Sequence, residues 1–447
     1  MPHARRASWR LAVAVGVVYA VLAAAFVSLG ELRSGLGARG LGAWSTPITL
    51  PDGYYYVNVG LCLAKGKGFS VDWTDPRVRG ALEAARSRGV RGAADRLADD
   101  GPPAPTGLVG PVYPALLGGL YRVFGFGFVA PRVLNVVMLG LAGAFLFLCA
   151  ERLHGRGAAL LAVAALAACT RVWACAKQVL TEPTALALLA AALWLLALSV
   201  RDTRRWRDVL LGALALAAAV LTRTGLAFCV PLFALCLLLP GGLTFRRRLL
   251  RAGAYLAVCL IPIAAWSVRN TLAAGHPVAL TSASGTALPA GYTRVCLENG
   301  GRYVPLDRQP YAAELLAARA SGGEWAVHRK GGEIFRQLLD RNRDILPRLV
   351  LAKLRSALLP VPFREAHDAP ELVLILLGAV GAVVAGRRAA TWIPLAAVVG
   401  ALLPLVAVFV EDRYRILMLP GLAVLAGVAV HAALRRVPAF SRSRSPG

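Results

Sequence analysis

Apolar runs and short basic breaks alternate along most of the chain. Ten runs stand out, at about 11–30, 131–150, 157–174, 183–200, 208–222, 225–240, 250–267, 371–386, 390–409 and 414–433. Several exceed the roughly 18 residues that mark a transmembrane helix. The pattern predicts an all-α, polytopic integral membrane protein with about ten transmembrane helices. Two long mixed stretches interrupt it, at 31–130 and 268–370. Within the first, the apolar stretch 53–65 ends in lysine and predicts a helix lying on the membrane. The polar stretch 73–107 reads as a solvent-exposed insertion with a short helix near 79–98. The run through Leu116, Leu117, Leu120, Tyr121 and Phe124 is too short to span, and its tyrosines suit an interfacial helix. Residues 345–363 read as a further interfacial helix and its exit. One membrane domain therefore covers 1–433, followed by a basic tail at 434–447.

Composition supports a membrane class, with 57% of the 447 residues apolar. The formal net charge of +26 raises the question of nucleic acid. The distribution of the charge answers it, because the arginines cluster between apolar runs and the common nucleic-acid modules are absent. The clusters also orient the chain. With the N-terminus inside, every inner connection is basic: Arg152 and Arg156; Arg201, Arg204, Arg205 and Arg207; Arg246, Arg247 and Arg248; Arg387 and Arg388; and Arg435, Arg436, Arg442 and Arg444. That is the positive-inside pattern of a plasma-membrane protein with both termini cytoplasmic. The apolar stretch Leu11 to Leu29 is longer than the h-region of a signal peptide and reads as an uncleaved first helix. The eight cysteines lack metal-ligand spacing. Cys62 and Cys296 both fall on the outer side, where they could pair.

This orientation places Asp52, Lys65, Arg132, Glu182, Arg223, Arg269 and Arg413 at outer helix ends or in outer loops. Each could simply snorkel to water. Seven on one face also suggest a shared polar site, since ionisable groups beside apolar runs are costly. Pro51-Asp52-Gly53 can likewise be a plain turn. Glu182 and Arg223 can be a structural ion pair. No phosphate loop or dinucleotide fingerprint is present.

In order and spacing, these residues resemble the GT-C fold glycosyltransferases, in the branch of bacterial ArnT-like and protein-mannosyltransferase-like enzymes. The resemblance rests on Asp52-Gly53-Tyr54-Tyr55 after the first helix and on Leu63-Ala64-Lys65-Gly66-Lys67-Gly68. It continues in Pro111-Val112-Tyr113-Pro114, Phe124-Gly125, Arg132 and Thr181-Glu182-Pro183. It closes with Trp266-Ser267-Val268-Arg269-Asn270 and Arg413-Tyr414. Many relatives have Asp-Glu where this chain has Asp52-Gly53, so a second carboxylate is missing.

The resemblance implies transfer of a sugar from a polyprenyl-phosphate carrier to a glycan, lipid or protein acceptor on the extracytoplasmic face. It makes Asp52 the catalytic base. Tyr54, Tyr55, Lys65, Arg132, Glu182, Arg223, Arg269, Asn270, Arg413 and Tyr414 become candidates for the substrate cavity. The chemistry suits one carboxylate. Polyprenyl phosphate leaves as a stable anion and needs no acid, unlike the alkoxide released by a glycosidase. One base on the acceptor hydroxyl, with cations on the phosphate, can suffice. Single displacement would invert the anomeric centre. No cofactor is expected, a metal is not indicated, and the partners are the lipid-linked donor, membrane lipids and the acceptor. Asp72, Asp75, Asp95, Asp99 and Asp100 are rival acids in a charged, solvated stretch. The alternative function is a transporter or flippase of a lipid-linked sugar, which should hold polar groups near the bilayer midplane.

Overall fold

The computed structural model of the protein describes residues 2–29, 42–45, 51–87, 101–201, 205–239, 242–359, 368–386 and 389–436. Asp95, Asp99, Asp100, Arg387, Arg388 and the tail beyond Arg436 lie outside these residues.

The chain is almost wholly helical. It opens with α1 (Pro2–Ser28), α2 (Gly42–Ser45), α3 (Pro51–Ala64) and α4 (Pro76–Arg86), followed by α5 (Val112–Phe124) and α6 (Val129–His154). Next come α7 (Arg156–Ala167), α8 (Thr170–Lys177), α9 (Glu182–Arg201), α10 (Trp206–Thr222), α11 (Cys229–Cys236) and α12 (Phe245–Ala274). The second mixed stretch holds α13 (Ser284–Ala290), α14 (Arg294–Glu298), α15 (Ala312–Arg341) and α16 (Leu346–Leu358). The last helices are α17 (Asp368–Ala385), α18 (Ala389–Ala407) and α19 (Leu419–Arg436). A two-stranded antiparallel sheet pairs Ser70–Val71 with Ala104–Pro105 and closes off the insertion that carries α4.

Among the described residues, seven helices are long and apolar enough to cross a membrane, or eight if one bent pair counts as a single span. All ten expected runs are helical, but three are not plain spans. The run at 157–174 breaks between α7 and α8 with a bend of 56°. Arg171, near its end, turns inward there to meet acids on α17 rather than face lipid. The run at 208–222 makes the 17-residue α10. The run at 225–240 begins as a 3-10 turn over Thr224–Phe228 and continues into the 8-residue α11.

The helix bundle sorts its faces as a bilayer requires. Val13, Val17 and Val21 on α1, and Val373, Leu376, Val380 and Val383 on α17, are exposed large apolar residues at helical spacing. Such stripes suit lipid rather than water. The opposite faces pack at small residues. Gly16 and Gly140 bring α1 and α6 together, since a Cβ on Gly16 would stand 3.0 Å from the Gly140 carbonyl oxygen. A Cβ on Gly381 of α17 would meet the Leu425 carbonyl oxygen of α19 at 1.8 Å. Close helix approach through small residues is the ordinary packing device where lipid removes a hydrophobic drive between helices.

At one end of the bundle, α3 lies against α5, which forms the short helix expected at 112–124. Tyr54, Tyr113, Leu117 and Trp73 form part of a separate buried cluster there. Cys62 and Cys296 are both buried and free. The expected pairing therefore does not form: the Cys62 thiol donates toward Asn58 Oδ1, and the Cys296 thiol toward the Arg302 carbonyl.

Candidate active site

Asp52 occupies the first turn of α3. The exposed backbone N–H groups and the dipole of a helix N-terminus favour a carboxylate there. Its Oδ2 accepts from Arg413 Nη2, and about half of the side chain is exposed (48%). Arg413 belongs to a 3-10 segment, Asp412–Met418, between α18 and α19. Its Nε also lies 2.6 Å from Glu411 Oε1, so one guanidinium stands between two carboxylates.

A second ion pair adjoins the first. Glu182, the first residue of α9, is fully buried. Arg223 Nη1 lies 3.0 Å from its Oε1 and donates to Thr181 Oγ1 at 3.1 Å. Arg223 sits where α10 ends in extended backbone. The two pairs share one ring. The Arg223 guanidinium carbon is 4.1 Å from the centre of Tyr414, and that of Arg413 is 5.1 Å from it. Tyr56, four residues after Asp52 on α3, completes the group. Burial pushes its hydroxyl up to about 12, opposed by Arg223 and reinforced by Asp52 and Glu182. Burial likewise pushes the Glu411 carboxyl up, against the pull of Arg413 and with the push of Asp52.

Five of the expected residues are thus brought together: Asp52, Glu182, Arg223, Arg413 and Tyr414. Six are not. Lys65 pairs with Asp75, the residue that caps α4. Arg132 donates from Nε to the Lys177 carbonyl and from Nη1 to the Trp44 carbonyl, each at 2.7 Å, and so ties α6 to α8 and α2. Arg269 donates to the carbonyls of Thr106 and Phe69 and lies over the rings of Phe69 and Trp266. Asn270 is buried beside it and donates to the Leu280 carbonyl at 3.2 Å. Tyr54 is buried against Phe128, and Tyr55 lies edge-on to Trp73. The single cluster expected from the outer charges therefore divides into a site and several clamps. Of the rival acids, Asp72 is engaged by Lys67, Thr74 and the backbone of Thr74.

Sequence reading missed Tyr56 and Glu411. Both had signals: Tyr56 lies four residues beyond Asp52 on a predicted helix, and Glu411 lies two before the Arg-Tyr pair. It also missed a buried ionic lock behind the site. Arg171 lies 2.5 Å from Glu371 and 3.0 Å from Asp368. Arg415 lies 3.0 Å from Glu371, 2.6 Å from Asp368 and 3.2 Å from Asp412. Arg302 also pairs with Asp412. Three cations and three anions balance, which is what allows them to stay charged out of water. Asp412 and Arg415 flank Arg413, so the lock fixes the segment that delivers Arg413 to Asp52. A parallel bridge, with the Tyr303 backbone N–H donating to the Val410 carbonyl at 2.9 Å, holds the second mixed stretch to the chain just before that segment.

Residues 105–267 match the family described as dolichyl-phosphate-mannose-protein mannosyltransferase. No curated protein matches the chain. The oligosaccharyltransferase AglB of the archaeon Archaeoglobus fulgidus superposes over most of the chain. Solved with an inhibitory peptide and a dolichol-phosphate, it has 13% identity and a TM-score of 0.53, covering 98% of this chain. Solved with a tethered acceptor peptide, it has 15% identity and a TM-score of 0.54, covering 96% of this chain. The chain has the GT-C fold. It spans about half the length of that oligosaccharyltransferase, 52% and 50% in the two structures. ArnT from Cupriavidus metallidurans, bound to undecaprenyl phosphate, is similar at 15% identity over 98% of this chain and 80% of its own. Its TM-score is 0.37. The GT-C chain described here is an integral membrane protein, and its motif at Thr181-Glu182-Pro183 and the end of α10 at Arg223 fall inside the matched family segment.

Proposed function

We propose that this GT-C protein is an inverting glycosyltransferase that moves a sugar from a polyprenyl-phosphate carrier to an acceptor hydroxyl on the extracytoplasmic face. The observation that carries the reading is the half-exposed carboxylate of Asp52 paired with Arg413, with Arg223 joined to that pair across the ring of Tyr414, at the ends of apolar helices. Transfer from a lipid phosphate needs those two functions side by side. Cations must hold the departing phosphate, and a carboxylate must take the proton of the attacking hydroxyl.

In this reading the acceptor oxygen attacks the anomeric carbon as its proton passes to Asp52, while the bond to the phosphate oxygen breaks. The phosphate leaves as an anion held by Arg413, with Arg223 alongside. Tyr56 and Tyr414 close the sides of the cavity, and their rings exclude water that would hydrolyse the donor. Glu182 fixes Arg223. The positive-inside pattern puts the site on the outer face with both termini cytoplasmic. Among the described residues, no group of three or more His, Cys, Asp or Glu side chains could hold a metal ion. The archaeal oligosaccharyltransferase of the same fold was solved with a dolichol-phosphate, which supports a lipid-phosphate donor.

The test is release of polyprenyl phosphate by the purified protein in detergent from a panel of polyprenyl-phosphate sugars, with extracted envelope material as acceptor. Release dependent on both substrates supports the reading. Absence of release from every donor contradicts it, and movement of intact lipid-linked sugar across vesicles would then favour a translocator.

A further inference from the structure

The two arginines of the site are not held alike. Arg223 is paired with Glu182, which is fully buried, and with Thr181, also buried. Arg413 is paired with Asp52, whose side chain is about half exposed. The first pair is buried, and the second is partly open to solvent. Glu411 Oε1 lies 2.6 Å from Arg413 Nε, and Nη2 donates to the Tyr414 hydroxyl oxygen at 3.3 Å as well as to Asp52. The Arg413 guanidinium therefore keeps other neighbours when its contact with Asp52 is exchanged.

In the free protein Asp52 Oδ2 accepts from Arg413, so the carboxylate occupies a guanidinium position that a phosphate oxygen could take. A phosphate group is the stronger partner for an arginine edge, because it offers a bidentate, charge-assisted pair. Building on the transferase reading, we propose that the phosphate of the lipid donor displaces Asp52 from Arg413, and that this exchange leaves both carboxylate oxygens to the acceptor hydroxyl. Asp52 and the donor phosphate are thus rivals for one guanidinium.

The exchange makes a prediction about binding that does not depend on turnover. Asp52 competes with the phosphate for Arg413, so removing its charge should tighten lipid-phosphate binding. The experiment measures undecaprenyl phosphate binding to the full chain in detergent, with undecaprenol as the control lacking phosphate. Asp52→Asn is expected to bind about three- to fivefold tighter than wild type, the fold-change that a half-exposed ion pair corresponds to. Arg413→Gln is expected to bind more weakly. In the double variant the gain from Asp52→Asn should vanish. Asp52→Ser repeats the measurement with a different side chain in case the amide disturbs the first turn of α3.

The exchange is overturned if the Asp52 variants bind no tighter. It is also overturned if the gain persists without Arg413, since that would be general repulsion of the phosphate by a nearby carboxylate. A protein that releases polyprenyl phosphate from a sugar donor yet shows no gain keeps the transferase reading and loses the exchange. A protein that neither releases nor binds polyprenyl phosphate loses both.

Discussion

Arg413 and Asp52 lie 361 residues apart in the chain and form one ion pair at the mouth of the site. The pair joins the first turn of α3 to the segment before the last helix. It therefore depends on the whole bundle being assembled, with α3 held against α5 and the Asp412–Met418 segment held by the buried lock.

Replacing Arg413 separates its roles. Arg413→Gln removes the charge that faces both Asp52 and the departing phosphate, and kcat/KM for sugar release is expected to fall by roughly 10²–10³. Arg413→Lys keeps the charge but loses the planar fork, so it should recover only part of the loss. Equal activity of the two variants would show that neither charge nor geometry at this position matters to transfer.

The buried lock behind the site is expected to be costly to break. Arg415 is fully buried against Asp368 and Glu371. Arg415→Met leaves those carboxylates short of a partner and should cost about 3–5 kcal/mol. By contrast, Arg294 and Asp344 form a pair in which both side chains are well exposed, and Arg294→Ala should change stability by no more than about 0.5 kcal/mol. Thermal unfolding in detergent compares the two. Similar shifts for both would contradict the distinction.

Lys353 supplies a pH signature. It is buried on α16, with its Nζ 4.2 Å from the centre of the Tyr292 ring. Burial lowers it from 10.5 to about 8, with Cys296 opposing slightly. The sign follows from proton binding. Between about 8 and 10.5 the unfolded chain holds more protons here than the folded one, so this group adds stability as pH rises through that window. Below about 8 its charge is buried at a cost of roughly 3 kcal/mol. Lys353→Met should therefore stabilise the protein at pH 7, and its advantage should shrink as pH rises through the window. A pH-independent difference in unfolding temperature would contradict this.

Gly110 tests the seating of the first mixed stretch. A Cβ there would stand 2.0 Å from the Leu221 carbonyl oxygen, two residues before Arg223. Gly110→Ala must push the Gly110-Pro111-Val112-Tyr113-Pro114 segment away from the end of α10, at a cost of about 1–3 kcal/mol. Tyr113 underlies Tyr56, with ring centres 5.5 Å apart, so transfer activity should fall along with stability. Unchanged stability and activity would show that the segment is not seated on α10.

Much of this was legible in the chain because the signals are local. Apolar runs give helices, and Thr181-Glu182-Pro183 or Pro51-Asp52 mark where they begin. Sequence shows that a charge lies at a helix end, but not which way it points around the axis. Lys65, Arg132 and Arg269 satisfy the same pattern as Arg413, yet they reach Asp75 or backbone carbonyls. The three successive tyrosines make the same point. On a helix they point about 100° apart; Tyr55 and Tyr56, three and four residues from Asp52, flank it on opposite sides, and only the Tyr56 flank turns toward Arg223 while Tyr55 meets Trp73. The lock was illegible for another reason. Arg171 and Glu371 are 200 residues apart, and each alone resembles a snorkelling charge at a helix end.

The measurement that bears most directly on the account is sugar transfer by Asp52→Asn at saturating donor. The account predicts a fall in kcat of about 10³ or more, with binding of the lipid phosphate retained, because the variant removes the base and leaves the arginines in place. Transfer at close to the wild-type rate by Asp52→Asn would contradict it and move the chemistry to another carboxylate, with Glu411 and Glu182 the nearest.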